Sequence, residues 1–294
     1  MRTAAVVDVG SNTVRLLVAR VDAHGLDRSH TERMRLGLAH ELEATGRISE
    51  RRIAATAEAV RRLVDEAHAR RAESIDVFVT APGRQAENGA ELVAAIERAA
   101  RHPVSVLSAD DEARFAFAGA VALSAPVAEL VAVVDLGGAS TEIAVGIPET
   151  GPAWARSVDL GAARLTSRLL QHAPPARTEL EAAHAEVAEA FAGVAPPLPS
   201  EALVVGGCAR ALGRVFGDTL DRSELSAAVS ILARSHPDEI SRRFDVGNRR
   251  AALLLGSSLI LAEVQRRLIV PLQVSEGGVR EGVLLAAARE LAAA

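Results

Sequence analysis

Two segments of the chain share a pattern of residues that could hold an anion. One reads VVDVGSNTVRLLVA from Val6 and the other VVDLGGASTEIAVG from Val133. In both, Asp-x-Gly follows an apolar run and leads into small and hydroxylated residues. Glycine lets backbone N–H groups approach an anion without a Cβ in the way. We therefore expect two phosphate-binding turns, with side-chain donors at Ser11, Asn12, Thr13, Ser140 and Thr141.

Each turn also carries an aspartate, Asp8 in the first and Asp135 in the second. A carboxylate does not bind phosphate directly, and its usual partner beside a phosphate is a divalent cation or an ordered water. Either turn alone is also ordinary hairpin chemistry. The pair is more specific, because two such turns facing each other across a cleft could grip successive phosphates of one ligand.

A third Asp-x-Gly occurs in SVDLGAARLT, at Val158–Gly161. It leads directly into a predicted helix that carries Arg164. The segment is either an anion site at a helix N-terminus or a plain strand-to-helix turn.

Three consecutive acids, Asp110, Asp111 and Glu112, open another predicted helix in LSADDEARFAF. Ser108 followed by Asp111 resembles a capping box, and Asp110 favours the positive end of the helix dipole. Capping does not require Glu112, which could instead accept a proton from a water that attacks phosphorus. The residues alone do not decide whether Glu112 is such a base or whether the three acids have no role beyond the start of the helix.

The composition excludes several classes of protein. All 33 basic residues are Arg, so there is no P-loop or Schiff-base lysine. A net charge of −5 argues against a broad nucleic-acid surface. One cysteine fits a reducing compartment. Neither a signal peptide nor a run of about 18 apolar residues is evident, so we expect a cytoplasmic protein that binds neither nucleic acid nor membranes.

Apolar periodicity predicts alternating strands and helices, which is typical of α/β layers. The predicted strands span residues 4–9, 14–21, 75–80, 104–107, 130–135, 141–145, 202–205 and 269–274. The predicted helices span residues 49–70, 87–100, 108–123, 162–171, 178–192, much of 223–267 and 279–291, with a break at 124–126. The repeated strand–turn–strand opening favours two similar domains, residues 1–124 and 125–294, with the helix at about 279–294 packing back on the first.

The motifs together resemble the exopolyphosphatase/guanosine pentaphosphate phosphohydrolase (Ppx/GppA) family. They occur in the family's order and span nearly the whole chain. The segments that carry the resemblance are VVDVGSNTVRLL, TAPGRQAEN, LSADDEAR, VVDLGGASTE, SVDLGAARLT, VGGCARAL and SEGGVREGVLL. The resemblance implies two actin-like (ribonuclease H-like) domains with mixed sheets flanked by helices and an active-site cleft between them.

The same resemblance implies an activity and a set of site residues. Family members remove the terminal phosphate of inorganic polyphosphate or pppGpp, using Mg²⁺ (or Mn²⁺). The family's catalytic glutamate falls on Glu112. The remaining expected residues are Gly10, Arg15, Arg84, Gly137, Gly138 and Ala139 for phosphate, and Asp8, Asp135 and Glu142 for the metal. Arg280 either contacts the ligand or ties the C-terminal helix to the body, and a homodimer is a possible assembly.

Ala139 departs from the family pattern, because it stands where the second loop usually has a third glycine. Its methyl group would lie where the backbone should approach phosphate, which puts catalytic rate and substrate choice in question. The altered loop leaves one alternative open beside the hydrolase, a (p)ppGpp or polyphosphate sensor without turnover. Gly206-Gly207 follows a predicted strand and resembles an adenosine-side turn, which leaves a second alternative open, an actin-like ATP-dependent phosphotransferase.

Overall fold

The computed structural model describes residues 1–22, 25–124 and 128–293. His24 and most of the predicted break at 124–126 lie outside the described residues. The chain forms two compact units, Met1–Ala122 with Val279–Ala294, and Leu123–Gly278. Within the described residues, no helix combines the length and hydrophobicity needed to cross a bilayer.

The first unit contains a five-stranded sheet in the order β3-β2-β1-β4-β5. The first three strands are antiparallel, whereas β4 and β5 continue the sheet in parallel. The strands are β1 (Arg2–Val9), β2 (Thr13–Val21), β3 (Leu26–Arg35), β4 (Ser74–Val79) and β5 (Ser105–Val106). The helices are α1 (Leu38–Thr45), α2 (Glu50–Ala69), α3 (Ala81–Gln85), α4 (Gly89–Ala100) and α5 (Ala109–Ser124).

The second unit repeats this plan in a six-stranded sheet, in the order β10-β11-β9-β6-β7-β8. Its strands are β6 (Val131–Leu136), β7 (Thr141–Ile147), β8 (Gly151–Val158), β9 (Glu201–Val205), β10 (Thr219–Leu220) and β11 (Leu272–Val274). Its helices are α6 (Ala162–Leu169), α7 (Arg177–Ala190), α8 (Gly207–Phe216), α9 (Arg222–Leu232), α10 (Pro237–Phe244), α11 (Asn248–Ala251) and α12 (Leu254–Leu268). The last helix, α13 (Val279–Ala293), belongs to the first unit, where it contacts β1 and β2.

Both sheets begin with an antiparallel hairpin whose first strand also pairs in parallel with a later strand, β1 with β4 and β6 with β9. The sequence therefore correctly predicts two mixed sheets flanked by helices. Three strands that it does not predict, β3, β8 and the two-residue β10, lie at the sheet edges. Every second residue of β3 is exposed, so this strand lacks the apolar run by which a buried strand is recognised.

Each unit has its own core, built almost entirely from aliphatic side chains. In the first, the apolar face of α2, with Val60 and Leu63, packs in one cluster with Leu16 and Val18 of β2. In the second, Ile143 of β7 shares a cluster with Leu261 of α12. Such a core holds the hairpin strands rigidly, and the turns between them emerge at the end of each sheet.

Candidate active site

The first turn spans Gly10 to Thr13, between the paired residues Val9 and Val14. The N–H of Gly10 donates to the carbonyl of Thr13 at 3.0 Å, which closes the turn. The carbonyls of Ser11 and Asn12 accept bonds from the N–H groups of Ala39 (2.8 Å) and Leu36 (2.9 Å). These two carbonyl oxygens, which would repel an anion, are thus hydrogen-bonded to the segment at the start of α1.

The second turn, Gly137 to Ser140, lies between the paired residues Leu136 and Thr141 and is built in the same way. The N–H of Gly137 donates to the carbonyl of Ser140 at 3.1 Å. The carbonyls of Gly137 and Gly138 accept bonds from the first N–H groups of α6, at distances of 2.9–3.1 Å. Here too the carbonyl oxygens are turned towards the protein.

This second set of bonds decides between the two readings of Val158–Gly161. The N–H groups at the start of α6, including that of Arg164, bind the turn and are not offered to an anion. The guanidinium of Arg164 donates to the carbonyl of Asp159 at 2.7 Å. The segment is therefore a strand-to-helix turn that supports the turn Gly137 to Ser140, and the alternative of an anion site at the N-terminus of α6 is wrong.

Gly161 is a residue of this support to which the sequence analysis gave no role. A Cβ at Gly161 would lie 2.5 Å from the carbonyl carbon of Gly138 and 2.7 Å from the nitrogen of Ala139. Only glycine permits such close approach of two backbones. The repeated Asp-x-Gly was the signal that could have revealed this role.

The strand registers align the two turns residue by residue. Both turns contain four residues, so Asp8 corresponds to Asp135, Arg15 to Glu142, and Thr13 to Ser140. Thr141 therefore occupies the position of Val14. Its side chain is fully buried, and its hydroxyl donates to the carbonyl of Leu160 at 2.6 Å. The structure thus gives Thr141 a packing role in place of the predicted side-chain contact with phosphate.

The surroundings of Asp8 are cationic. Burial raises the pKa of Asp8, while the guanidinium groups of Arg15 and then Arg280 oppose that shift. Arg15 lies opposite Asp8 in the hairpin, and its Nε donates to the Thr13 hydroxyl at 3.2 Å. The Nε of Arg280, at the start of α13, lies 4.0 Å from the Asp8 carboxylate. Two neighbouring positive charges would repel a metal ion. The surroundings of Asp8 therefore fit a carboxylate that anchors arginines better than a metal ligand.

The corresponding position in the second unit is anionic. Asp135 and Glu142 are directly opposite each other on antiparallel strands, so their side chains share one face of the sheet. Glu142 is 2% exposed, and its Oε1 accepts a hydrogen bond from the Ser157 hydroxyl at 2.8 Å. Two neighbouring carboxylates fit Mg²⁺, which is usually held by one or two carboxylates together with waters and phosphate oxygens.

Glu112 lies in the first turn of α5 and is buried, with 9% of its surface exposed. Ser108 caps this helix as predicted, because its hydroxyl oxygen accepts the N–H of Asp111 at 3.0 Å. Capping therefore leaves the Glu112 carboxylate to another task. Its Oε2 accepts a 2.8 Å ion-paired hydrogen bond from Arg84, which also donates to the carbonyl of Leu107 at 2.7 Å.

Arg84 was expected to contact phosphate, but in the structure its guanidinium donates to Glu112 and to the backbone carbonyl of Leu107. It lies on α3, directly after β4, so its guanidinium reaches α5 across the end of the sheet. Only the folded chain brings Arg84 and Glu112 together. In this structure Arg84 orients the carboxylate of Glu112.

Comparisons with known proteins identify the family of this chain. Residues 17–291 match the model of the Ppx/GppA phosphatase family. Exopolyphosphatase 2 of Mycobacterium tuberculosis is 32% identical over 210 residues, which cover 67% of this chain but just under two thirds (64%) of that protein. Exopolyphosphatase 1 of the same species is 27% identical over 299 residues, or 95% of this chain and 86% of the relative. The crystal structure of the Aquifex aeolicus Ppx/GppA family member matches with a TM-score of 0.85 at 24% identity, covering 99% of this chain and 98% of that one. The chain thus belongs to the Ppx/GppA phosphatase family.

Proposed function

We propose that this protein is a metal-dependent hydrolase that removes the terminal phosphate of inorganic polyphosphate or pppGpp. The observation that carries the proposal is the Glu112 carboxylate, which is buried, oriented by Arg84 and not needed for capping. The names of the relatives, two exopolyphosphatases, support the same reaction class. Both polyphosphate and pppGpp present a terminal phosphoanhydride.

In this proposal the two turns bind phosphate through their backbone N–H groups and hydroxyls. Three of the four carbonyls of each turn already accept hydrogen bonds within the protein, so the turns present little negative charge to an anion. Ser11, Thr13 and Ser140 supply hydroxyl groups. Arg15 adds a guanidinium beside the first turn, and guanidinium groups bind phosphate oxygens in a bidentate manner.

Asp135 and Glu142 would hold the cation, Mg²⁺ or Mn²⁺, and its charge would offset the negative charge that develops on the phosphate oxygens. Asp8 has a different task from the metal role expected for it, because it anchors Arg15 and Arg280 beside the first turn. The first unit then carries the base and one turn, and the second unit carries the other turn and the metal ligands.

Glu112 acts as general base and takes a proton from the water that attacks the terminal phosphorus. Arg84 is a positioning residue, because it fixes the carboxylate through a 2.8 Å bond. Phosphoryl transfer depends mainly on positioning and charge stabilisation. The turns and the carboxylate pair are therefore expected to matter as much as the base.

The proposal is tested by measuring phosphate release from long polyphosphate, short polyphosphate, pppGpp and ATP in the presence of Mg²⁺. Glu112→Gln should lower turnover by about 10²–10⁴-fold, the range typical of a general base, and leave polyphosphate binding largely intact. Asp110→Asn is the matched control, because Asp110 is an exposed acid on the same helix. Wild-type turnover in Glu112→Gln would remove this residue from the mechanism.

The same assay separates the two alternatives. Tight binding of polyphosphate or pppGpp without phosphate release would identify a sensor. Transfer of phosphate from ATP to an acceptor, with no release from polyphosphate, would identify a phosphotransferase.

A further inference from the structure

Three potential metal ligands meet at the edge of the first sheet, away from the residues assigned to phosphate hydrolysis. They are His30 and Glu32 on β3 and Glu66 on α2. The His30 Nε2 lies 3.7 Å from Glu66 Oε1 and 3.9 Å from Glu32 Oε2. One ligand atom from each residue lies within 4.8 Å of both others.

A β-bulge places His30 and Glu32 on the side of α2. The register shifts between Val18 and Ala19, so that His30 pairs with Val18 whereas Arg28 pairs with Ala19. Neighbouring residues of a strand point to opposite faces. His30 therefore lies on the face of the sheet that packs on α2, and Glu32, two residues on, shares that face.

Arg28, before the bulge, lies on the opposite face. There its guanidinium pairs with the buried Glu281 of α13 at 2.8 Å. The bulge thus separates two sets of charged residues, and it leaves the histidine and the two glutamates together beside α2.

The three side chains have the chemistry of a zinc site. Imidazole nitrogen and carboxylate oxygen bind Zn²⁺ at about 2.0–2.2 Å, which places tetrahedral ligands about 3.3 Å apart. The two separations from the His30 Nε2 exceed this by about half an ångström, and the two carboxylates lie within 4.8 Å of each other, distances that side-chain rotation covers. The His30 Nε2 is shielded from solvent and has no hydrogen-bond partner among the described residues. A buried polar atom normally has a partner, and a metal ion would provide one.

Arg70 competes for one of these ligands. Its Nε contacts Glu66 Oε1 at 2.6 Å from the end of α2. A carboxylate has two oxygens with lone pairs for several partners, so Arg70 weakens a metal site here without blocking it. Removing Arg70 should therefore strengthen metal binding, an effect expected of no other role for the trio.

We propose that His30, Glu32 and Glu66 bind Zn²⁺ and thereby fasten the edge strand β3 to α2. Mg²⁺ is a poor alternative, because it prefers oxygen ligands and gives up its waters reluctantly. The segment after β3 supplies the N–H groups of Leu36 and Ala39 that hold the first turn. A zinc ion here restrains the strand that leads to this support. The proposal stands whether or not the protein hydrolyses phosphoanhydrides.

The test is calorimetric titration of the metal-stripped full-length protein with Zn²⁺, in millimolar Mg²⁺ to occupy the Asp135–Glu142 site. We expect one saturable site, and a rise in unfolding temperature of about 5 °C or more when free Zn²⁺ exceeds Kd a hundredfold. His30→Asn and Glu32→Gln should each weaken binding at least about tenfold. Arg70→Ala should tighten it.

His184→Asn is the matched control, since His184 is exposed on α7 in the second unit, and its zinc affinity should equal that of the wild type. Absence of saturable binding in the wild type would overturn the proposal. So would an affinity that neither His30→Asn nor Glu32→Gln changes, because the zinc would then be bound elsewhere. If either substitution prevents folding, Arg70→Ala decides: an unchanged affinity refutes the site.

Discussion

The two hairpins β1–β2 and β6–β7 have the same construction but opposite charge. Each turn has four residues, is closed by one N–H to carbonyl bond, and has two of its other carbonyls bound by a later segment of the chain. At the position opposite the aspartate, however, Asp8 faces Arg15 whereas Asp135 faces Glu142. One hairpin therefore carries a balanced pair and the other carries two acids.

This difference shows how two copies of one fold can take different roles. The turn geometry that both copies share is suited to any anion, so it can be the same in both. The cross-strand partner decides whether the adjacent aspartate anchors a guanidinium or joins a second carboxylate in a cation site. In the proposed site a single position, Arg15 or Glu142, thus separates the hairpin that binds only phosphate from the hairpin that also binds the metal.

The largest expected effect comes from removing this distinction in the second hairpin. Glu142→Gln keeps the shape of the buried side chain but deletes one of the two charges. We expect turnover to fall by about 10²–10³-fold at moderate Mg²⁺, the loss of several kcal/mol of charge stabilisation. The Mg²⁺ concentration for half-maximal phosphate release should rise at least about tenfold.

Asp8→Asn is the comparison variant for this experiment. It changes the corresponding hairpin, so turnover should decrease. The half-saturating Mg²⁺ concentration should stay within about twofold of the wild type, because Asp8 is not a ligand of the cation in the proposed site. A large rise in that concentration for Asp8→Asn, with none for Glu142→Gln, would reverse the assignment of the metal.

The second prediction concerns the first glycine of each turn. A Cβ on Gly137 would lie 2.8 Å from the carbonyl oxygen of Ser140, whereas one on Gly10 would be 3.5 Å from its nearest neighbour. Gly137→Ala must therefore open its turn. We expect a loss of about 1–3 kcal/mol in the free energy of unfolding and about 10–100-fold in kcat/KM.

Gly10→Ala should change the free energy of unfolding by about 0.5 kcal/mol or less, since its methyl group has room. Urea denaturation and phosphate-release kinetics on both variants check this pair. Equal losses in the two would mean that the turns differ less in packing than their contacts indicate.

A smaller effect is expected in the pH dependence of stability. Burial raises the pKa of Asp8, so the folded state binds this proton more tightly than the unfolded state. The contribution of Asp8 to stability is then fully present below the unfolded pKa of about 3.9, and it is lost as pH rises through the folded value. If the pKa of Asp8 is raised by one, this contribution to the free energy of unfolding is about 1.4 kcal/mol.

The measurement is urea denaturation of the wild type and Asp8→Asn between pH 4 and pH 8. The wild type should lose stability relative to the variant as pH rises through the folded pKa. The opposite trend would show that Arg15 and Arg280 outweigh the cost of burial.

Strands with a continuous apolar run, such as β1 and β6, could be predicted from sequence because both of their faces are buried. The edge strands β3 and β8 could not, since their exposed residues remove that signal. The repeated turns were recognisable, and the two segments align without a gap, so that Thr141 matches Val14. That Thr141 is fully buried and bonds to the carbonyl of Leu160 was not evident from the sequence.

In the candidate site, too, some features could be predicted from the sequence and others required the structure. Glu112 came from the family resemblance, because three consecutive acids do not reveal which one turns inwards. The contact between Arg84 and Glu112 joins residues that are 28 positions apart, and it depends on how α3 and α5 meet at the end of the sheet. Local residue pattern carries no information about such a contact.

The smallest expected effect belongs to Ala139, whose methyl group looked like an obstacle to phosphate. By register Ala139 corresponds to Asn12, so the first turn accepts a still larger side chain at this position. Ala139 is 5% exposed, and the strict glycine requirements lie at Gly137 and Gly161. Ala139→Gly should therefore change turnover less than about threefold, and lower the free energy of unfolding by about 0.5–1 kcal/mol through backbone entropy. A rise in turnover of tenfold or more would show instead that the methyl group restrains phosphate, and the two turns would then differ in their loops as well as in their cross-strand partners.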